Sequence, residues 1–318
     1  MSTSGLRALR QRYPEGRLVA LLHPVTGRLL DHHPAIDETI FYSGRYTDFW
    51  PTLFRLRRLK ADVALVFHGN EPQITPLLSL AGIPFLFKLP NTSRYRFLLS
   101  NAEPRQDWAR LGHGLRQRLA VARLAGADSK DTHMWLPVSA QAREHVAHRL
   151  QAHSLGSHAR LVGLQIGASK PHRVWPEQNF IALGRALAVS QPELRLLITG
   201  SHRETEAARR VAGAIGPAAI DVSGQFDLAR LPALIQRLNL LITGDTGPMH
   251  IAFAVGTPTV CLFGGSDPSA AGPLNDLDRH RVIAAPWDAA ARTLDVPMGR
   301  ISVADVLAEA QALLSSVA

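Results

Sequence analysis

The chain carries a single cysteine, Cys261, among 318 residues. One thiol excludes an intramolecular disulfide and any zinc site built from cysteines, which fits a reducing compartment. Set in the apolar run TVCLF, it reads as a buried strand residue. Long apolar runs are also missing. The greasiest stretch, LLSLAGIPFLFKLP (77–90), is interrupted by Pro84 and Lys88 and is too short to span a bilayer. The opening MSTSGLRALRQRYPEG holds no apolar segment able to act as a signal peptide. Charged residues make up 19% and hydrophobic ones 46%, which excludes a disordered chain. No P-loop, no GxGxxG fingerprint and no zinc-knuckle or aromatic RNA-binding signature is present. The expectation is a soluble cytoplasmic protein with no bound cofactor or metal and no nucleic-acid partner, meeting a membrane only by surface adhesion.

What is abundant is positive charge, a formal net +9. Basic residues cluster in FRLRRLK (54–60) and again between Arg105 and Arg123. Such faces attract anionic headgroups or an acidic lipid-linked substrate at about 1 kcal/mol per charge near a surface, although solvated faces of an arginine-rich chain account for them equally well.

The length suits two domains. RLVALLH, ADVALVF and PFLFKL read as strands in the first half, and LVGLQI, LRLLIT, LLIT and TVCLF in the second. Most are continuously apolar, as strands of a parallel sheet covered on both faces should be. Amphipathic stretches lie between them. DLARLPALIQRL places Leu228, Leu231, Leu234, Ile235 and Leu238 on one face, with Pro232 suited to a first turn. A final helix is predicted to start at Ser302, with Asp305 in capping position. The polar segment QAHSLGSHAR separates the two series, giving an α/β chain with domains at 1–155 and 156–318.

Ligands of open parallel sheets sit outside the carboxyl ends of the strands, so the loops there hold the candidate residues. In TGDTGPMHIAFAVGTP (243–258) a strand ends at Gly244-Asp245-Thr246-Gly247 and Pro248 opens a helix. Glycines allow close backbone approach, and free amides at a helix start favour an anion such as a diphosphate. Asp245 could accept hydrogen bonds from sugar hydroxyls; alternatively Asp245 and Thr246 merely cap the helix. His250 follows on that helix, where a packed histidine is the plainer reading. In IGASKPHRVWPEQNF (166–180), Ser169, Lys170 and Arg173 precede a helix starting near Pro176, and the two cations could neutralise a diphosphate leaving group. Trp175 reads as a packing anchor. TGSHRETE offers Glu204 and Glu206 for ribose hydroxyls or simply for a helix dipole. SGQFD places Gln225 and Phe226 where a base edge could be read. Asp276 and Asp278 in NDLD follow no apolar strand and read as a solvated turn, and His145 and His148 as surface residues.

Taken together, RVWPE, TGSHRETE and GDTGPMHIAFAVGTPTVCLFGGSDP, in this order over about Leu161 to Pro268, resemble the donor-binding half of glycosyltransferase family 9, the ADP-heptose:lipopolysaccharide heptosyltransferases. The resemblance implies a GT-B fold of two Rossmann-like domains, the final helix returning towards the first. It implies inverting, metal-independent transfer from a nucleotide-sugar donor, ADP-heptose, to an anionic lipopolysaccharide core acceptor held mainly by the N-terminal domain at the inner-leaflet membrane surface. By the same resemblance Asp245 binds the donor sugar, Arg173, Thr246 and Gly247 the diphosphate, and Glu204 the nucleoside. The stretch LRALRQRYPEGRLVALLHPVTGRLLDHHPAIDETIFY is similar to the family's first helix and second strand. Family members place a strand and a glycine–aspartate loop before that helix, and that aspartate is held to be the catalytic base. The expectation is therefore that this first strand is absent, so that either the chain starts further upstream or it is a shortened, impaired relative. His68, after ADVALVF, is the candidate substitute base, with His23 in a similar position. Two rivals to the transferase are another GT-B enzyme, such as a sugar-nucleotide epimerase, and a non-catalytic nucleotide-sugar binder.

Overall fold

The computed structural model describes residues 1–67, 72–285 and 298–316. The chain divides into two compact units, 1–135 and 136–318. The break comes twenty residues before the expected 155, because α6 (Ala140–Gln151) packs on α9 (Leu231–Arg237) of the second unit. The Leu136 amide also donates to the Ala254 carbonyl, 3.3 Å away. The polar segment at 151–160 is thus a surface turn within the second unit, leading from α6 into its first strand.

The first unit runs α1 (Thr3–Arg12), β1 (Val19–Leu22), β2 (Glu38–Phe41), α2 (Tyr46–Leu59), β3 (Val63–Val66), α3 (Ile74–Leu80), β4 (Phe85–Lys88), α4 (Trp108–Leu111) and α5 (Gly114–Leu124). β1 pairs in parallel with β2 and β3 with β4, and no strand joins the two pairs among the described residues. β1 is half-buried along its whole length. Its core gathers Ile40, Tyr42, Leu53, Leu56, Val66, Leu77 and Leu86.

After α6 the second unit continues β5 (Arg160–Gln165), α7 (Glu177–Ser190), β6 (Leu194–Thr199), α8 (Thr205–Ile215), β7 (Ala219–Asp221), α9, β8 (Leu240–Gly244), α10 (Gly247–Val255), β9 (Thr259–Phe263), α11 (Pro268–Ala271), β10 (His280–Ala284) and α12 (Val303–Ser316). Its six strands are all parallel, in the order β10-β9-β8-β5-β6-β7. The chain winds outward from β5 to β7, then returns to the other side of β5 and winds outward again. Right-handed crossovers in opposite directions place their helices on opposite faces. Accordingly α7, α8 and α12 contribute to one core with Val162, Leu164, Leu196, Ile242, Val260 and Leu262, while Met249 of α10 packs against Cys261 and Phe263 on the other face. The alternation along TVCLF is visible here, with consecutive residues serving opposite layers.

Pro232 sits in the first turn of α9, and the Asp305 amide donates a 3.1 Å hydrogen bond to the Ser302 hydroxyl oxygen at the start of α12. Pro176 is the residue before α7, where its fixed φ suits a helix entry. Trp175 is 1% exposed, its indole N–H donating to the Ile301 carbonyl at 3.1 Å and its ring edge-on to Phe180. It is the packing anchor that its setting implied. Cys261 is fully buried, which pushes its thiol up to about 12; it is an inert core residue.

Among the described residues three strands were not read from the sequence: β2, whose ETIF includes the exposed Phe41, β7 and β10. β7 has three half-buried residues, and β10 is an edge strand on which only His280 is fully buried. On β10, His280 is 5% exposed, shares a 2.9 Å hydrogen bond with the Thr259 hydroxyl and lies 4.7 Å from the Phe253 ring. Burial lowers its pKa from 6.5 to about 4, with Arg279 lowering it and Asp276 and Asp278 opposing. The folded state therefore keeps this ring neutral where the unfolded chain binds a proton. Stability from this group is complete above pH 6.5 and falls as the pH drops towards 4, by about 3 kcal/mol in total. Urea unfolding of wild type and His280→Gln across this range should show the wild type losing that amount relative to the variant.

Candidate functional site

The reversal of strand order lies between β5 and β8, where loops leaving the two strands turn to opposite faces and open a crevice. Gln165, the last residue of β5, is in register with Thr243 of β8. Gln165 is fixed by the Thr199 hydroxyl at 2.9 Å and donates to the Gly167 carbonyl at 3.1 Å. The loop after β5 then makes a tight turn, Pro171–Arg173, in which the Arg173 amide bonds back to the Lys170 carbonyl. This turn lies directly over β8. A Cβ on Gly244 would stand 2.8 Å from the Arg173 carbonyl oxygen, so only glycine admits the loop there.

The turn brings two residues 72 positions apart into contact. Arg173 Nη1 stands 2.9 Å from Asp245 Oδ2 and donates to the Asp245 carbonyl at 3.3 Å. The Asp245 side chain is 8% exposed and that of Arg173 27%. Arg173 Nε is buried and has no hydrogen-bond partner among the described residues, leaving a cationic donor for an anion to satisfy.

Beside the pair, α10 begins without a side-chain cap. Thr246 occupies the N-cap position in extended geometry but makes no capping bond; its hydroxyl lies 3.0 Å from that of Thr243. Asp245 is taken by Arg173. The plain capping reading of these residues is therefore not what the structure adopts. The first amides of α10 lack partners inside the helix, Pro248 is at its start, and a Cβ on Gly247 would meet nothing within 4 Å. A helix start with open space above it, next to an arginine, suits a phosphate group.

The other expected residues gather around this centre to different degrees. Ser169 and Lys170 are exposed on the loop that carries Arg173. Glu204 reaches the same crevice, since a Cβ on Gly167 would lie 2.7 Å from its carboxyl carbon; yet one of its oxygens is committed to a capping box with Ser201. Glu206 is exposed in the first turn of α8. Gly224, at φ +67°, lets the loop after β7 meet the His202 ring. Beyond it Gln225 joins the Asp221 carbonyl to Arg149 of α6, and Phe226 packs edge-on to His145. His250 is half-buried with its ring 6.0 Å from Phe253. Asp276 and Asp278 lie exposed in a turn, and His148 is exposed on α6. In the first unit, His23 is exposed and its Nδ1 accepts the Val25 amide at 3.2 Å; His68 lies outside the described residues.

One candidate was missed. Ser266, after Gly264 and Gly265 at the end of β9, has a buried hydroxyl with no partner among the described residues. The glycine pair following an apolar strand was the available signal.

The sequence profile of glycosyltransferase family 9 (heptosyltransferase) matches residues 55–294, well over half of the chain. The chain belongs to that family. Lipopolysaccharide heptosyltransferase 3 of Escherichia coli is 25% identical over 281 residues, spanning 84% of this chain and 80% of that protein. Lipopolysaccharide heptosyltransferase 1 of Campylobacter coli is 28% identical over 106 residues, 32% of this chain and 31% of that protein. Among solved structures, a family 9 glycosyl transferase from Veillonella parvula superposes with a TM-score of 0.81 at 22% identity, over 99% of this chain and 93% of that one. E. coli ADP-heptose LPS heptosyltransferase II gives the same TM-score at 24% identity, over 99% and 94%. The fold is thus the GT-B type of these heptosyltransferases, with parallel sheets.

Gly244→Ala should force the Arg173 turn off β8. It is expected to destabilise the protein by about 1–3 kcal/mol in urea unfolding, whereas Gly247→Ala, with open space around it, should cost no more than about 1 kcal/mol.

Proposed function

We propose that this family 9 chain transfers a heptose from ADP-heptose to a lipopolysaccharide core acceptor, with inversion and without a metal. The observation that carries this reading is the Arg173–Asp245 pair standing beside the uncapped start of α10 at the strand-order reversal. The α10 amides and the arginine suit the donor diphosphate, and the Asp245 carboxylate suits hydroxyls of the donor sugar. The match to lipopolysaccharide heptosyltransferases supports the choice of donor and acceptor.

In this mechanism the acceptor hydroxyl oxygen bonds to the anomeric carbon from the face opposite the diphosphate. The anomeric C–O bond breaks as it forms, and its electron pair leaves on the diphosphate. Arg173 and the α10 amides stabilise that developing charge, which is where such preorganised donors act most strongly. Asp245, fixed by Arg173, orients the sugar. The hydroxyl proton passes to a general base, for which His68 is the candidate in this chain.

Calorimetric titration with ADP-heptose, with a UDP-sugar as comparator, tests the donor site. Selective binding is expected, weakened about 10- to 100-fold by Asp245→Asn, the worth of a hydrogen bond to a charged group. Release of ADP only when a core acceptor is added supports transfer. Release of free sugar or an isomer without acceptor would instead indicate an epimerase-like enzyme, and binding with no turnover a nucleotide-sugar binder.

A further inference from the structure

The helix α2 buries Thr52, Leu53 and Leu56 and packs Phe49 and Leu59 on the first unit's core, so its inward face is complete without further apolar residues. Its outward face is nevertheless aromatic. Tyr46 is 87% exposed, Trp50 61% and Phe54 55%. Spaced four apart, at about 100° per residue, they lie within about 80° of one another along one side of the helix. The patch extends to α3, where Leu80 is 50% exposed and its carbonyl accepts the Arg57 Nε at 3.1 Å.

The residues bordering this stripe are basic. Arg45, Arg57, Arg58 and Lys60 are exposed around it, and Arg55 beyond them is paired with Glu38. The helix's one carboxylate, Asp48, is half-buried and held by the Ser43 hydroxyl. Three exposed aromatics in line, flanked by cations and with no exposed acid on the helix itself, the exposed Asp62 lying two residues past Lys60, form the pattern of a helix lying in a membrane interface.

We propose that this face of α2 docks on an anionic lipid bilayer, with Tyr46, Trp50 and Phe54 entering the headgroup boundary and Arg45, Arg57 and Arg58 meeting lipid phosphates. A second copy is a poor occupant, since packing the face on itself would bring like charges together. The proposal names the surface on which the chain meets a bilayer and rests on the helix face alone, so it stands or falls separately from sugar transfer.

Co-sedimentation with vesicles tests it, using phosphatidylcholine alone or with about one third phosphatidylglycerol, neither containing lipopolysaccharide. The wild-type chain should bind the anionic vesicles, much less the neutral ones, and progressively less as salt rises. Replacing Tyr46, Trp50 and Phe54 together by serine should weaken binding about 100-fold, and Arg45→Gln with Arg58→Gln about 30-fold. Trp50→Ser alone, a single exposed change with an unaltered circular dichroism spectrum, should show a smaller loss in the same direction. Equal binding by wild type and the serine variants overturns the proposal. So does absence of wild-type binding to anionic vesicles at low salt, whether the aromatics then prove to mediate self-association or binding to single-stranded DNA.

Discussion

The second unit depends on a single topological constraint, the reversal of strand order between β5 and β8. Because all six strands are parallel, every loop that follows a strand leaves the same edge of the sheet. Because winding reverses at β5, the helices that those two loops lead into, α7 and α10, lie on opposite faces of the sheet. The register Gln165 to Thr243 sets the loops side by side, and Gly244, lacking a side chain, lets the Arg173 turn settle on β8. The 2.9 Å contact between Arg173 and Asp245 follows from that geometry. Removing either partner would leave the other charge in a mostly buried setting, a penalty that ranges about 3–5 kcal/mol when burial is complete. The pair therefore both joins the two loops and preorganises the crevice.

The second sheet was legible in the sequence because its strands are covered on both faces. LVGLQI, LRLLIT, LLIT and TVCLF are continuously apolar for that reason, and each became a strand. β7 and β10 were not, because a short half-buried strand and an edge strand with Arg281 on it carry little apolar signal. The domain boundary was placed late for a related reason. Polarity at 151–160 marks exposure, and a surface turn within a unit is as exposed as a linker between two.

Much of the candidate site could also be read from residue types. A Gly-Asp-Thr-Gly-Pro run after a strand, and a basic loop after another, are unusual compositions at the edge where ligands bind. Their convergence was not readable, because the Arg173–Asp245 contact spans 72 residues and requires the sheet register. The missing cap on α10 was equally hidden. Thr246 is a competent capping residue by type, and only the Thr243 hydroxyl beside it and the extended backbone show that it does not cap. Glu204 shows the opposite case, where a residue reaches the crevice while its carboxylate is partly committed to holding its own turn.

The central claim is that Arg173 and Asp245 act on the donor as one unit. A double-mutant cycle on ADP-heptose affinity, with Arg173→Gln, Asp245→Asn and the double variant, addresses it directly. If each residue works through the other, the double variant should lose no more affinity than the weaker-binding single variant, a coupling of about 1–3 kcal/mol. Losses that simply add would contradict the account and make the pair two independent residues that happen to touch.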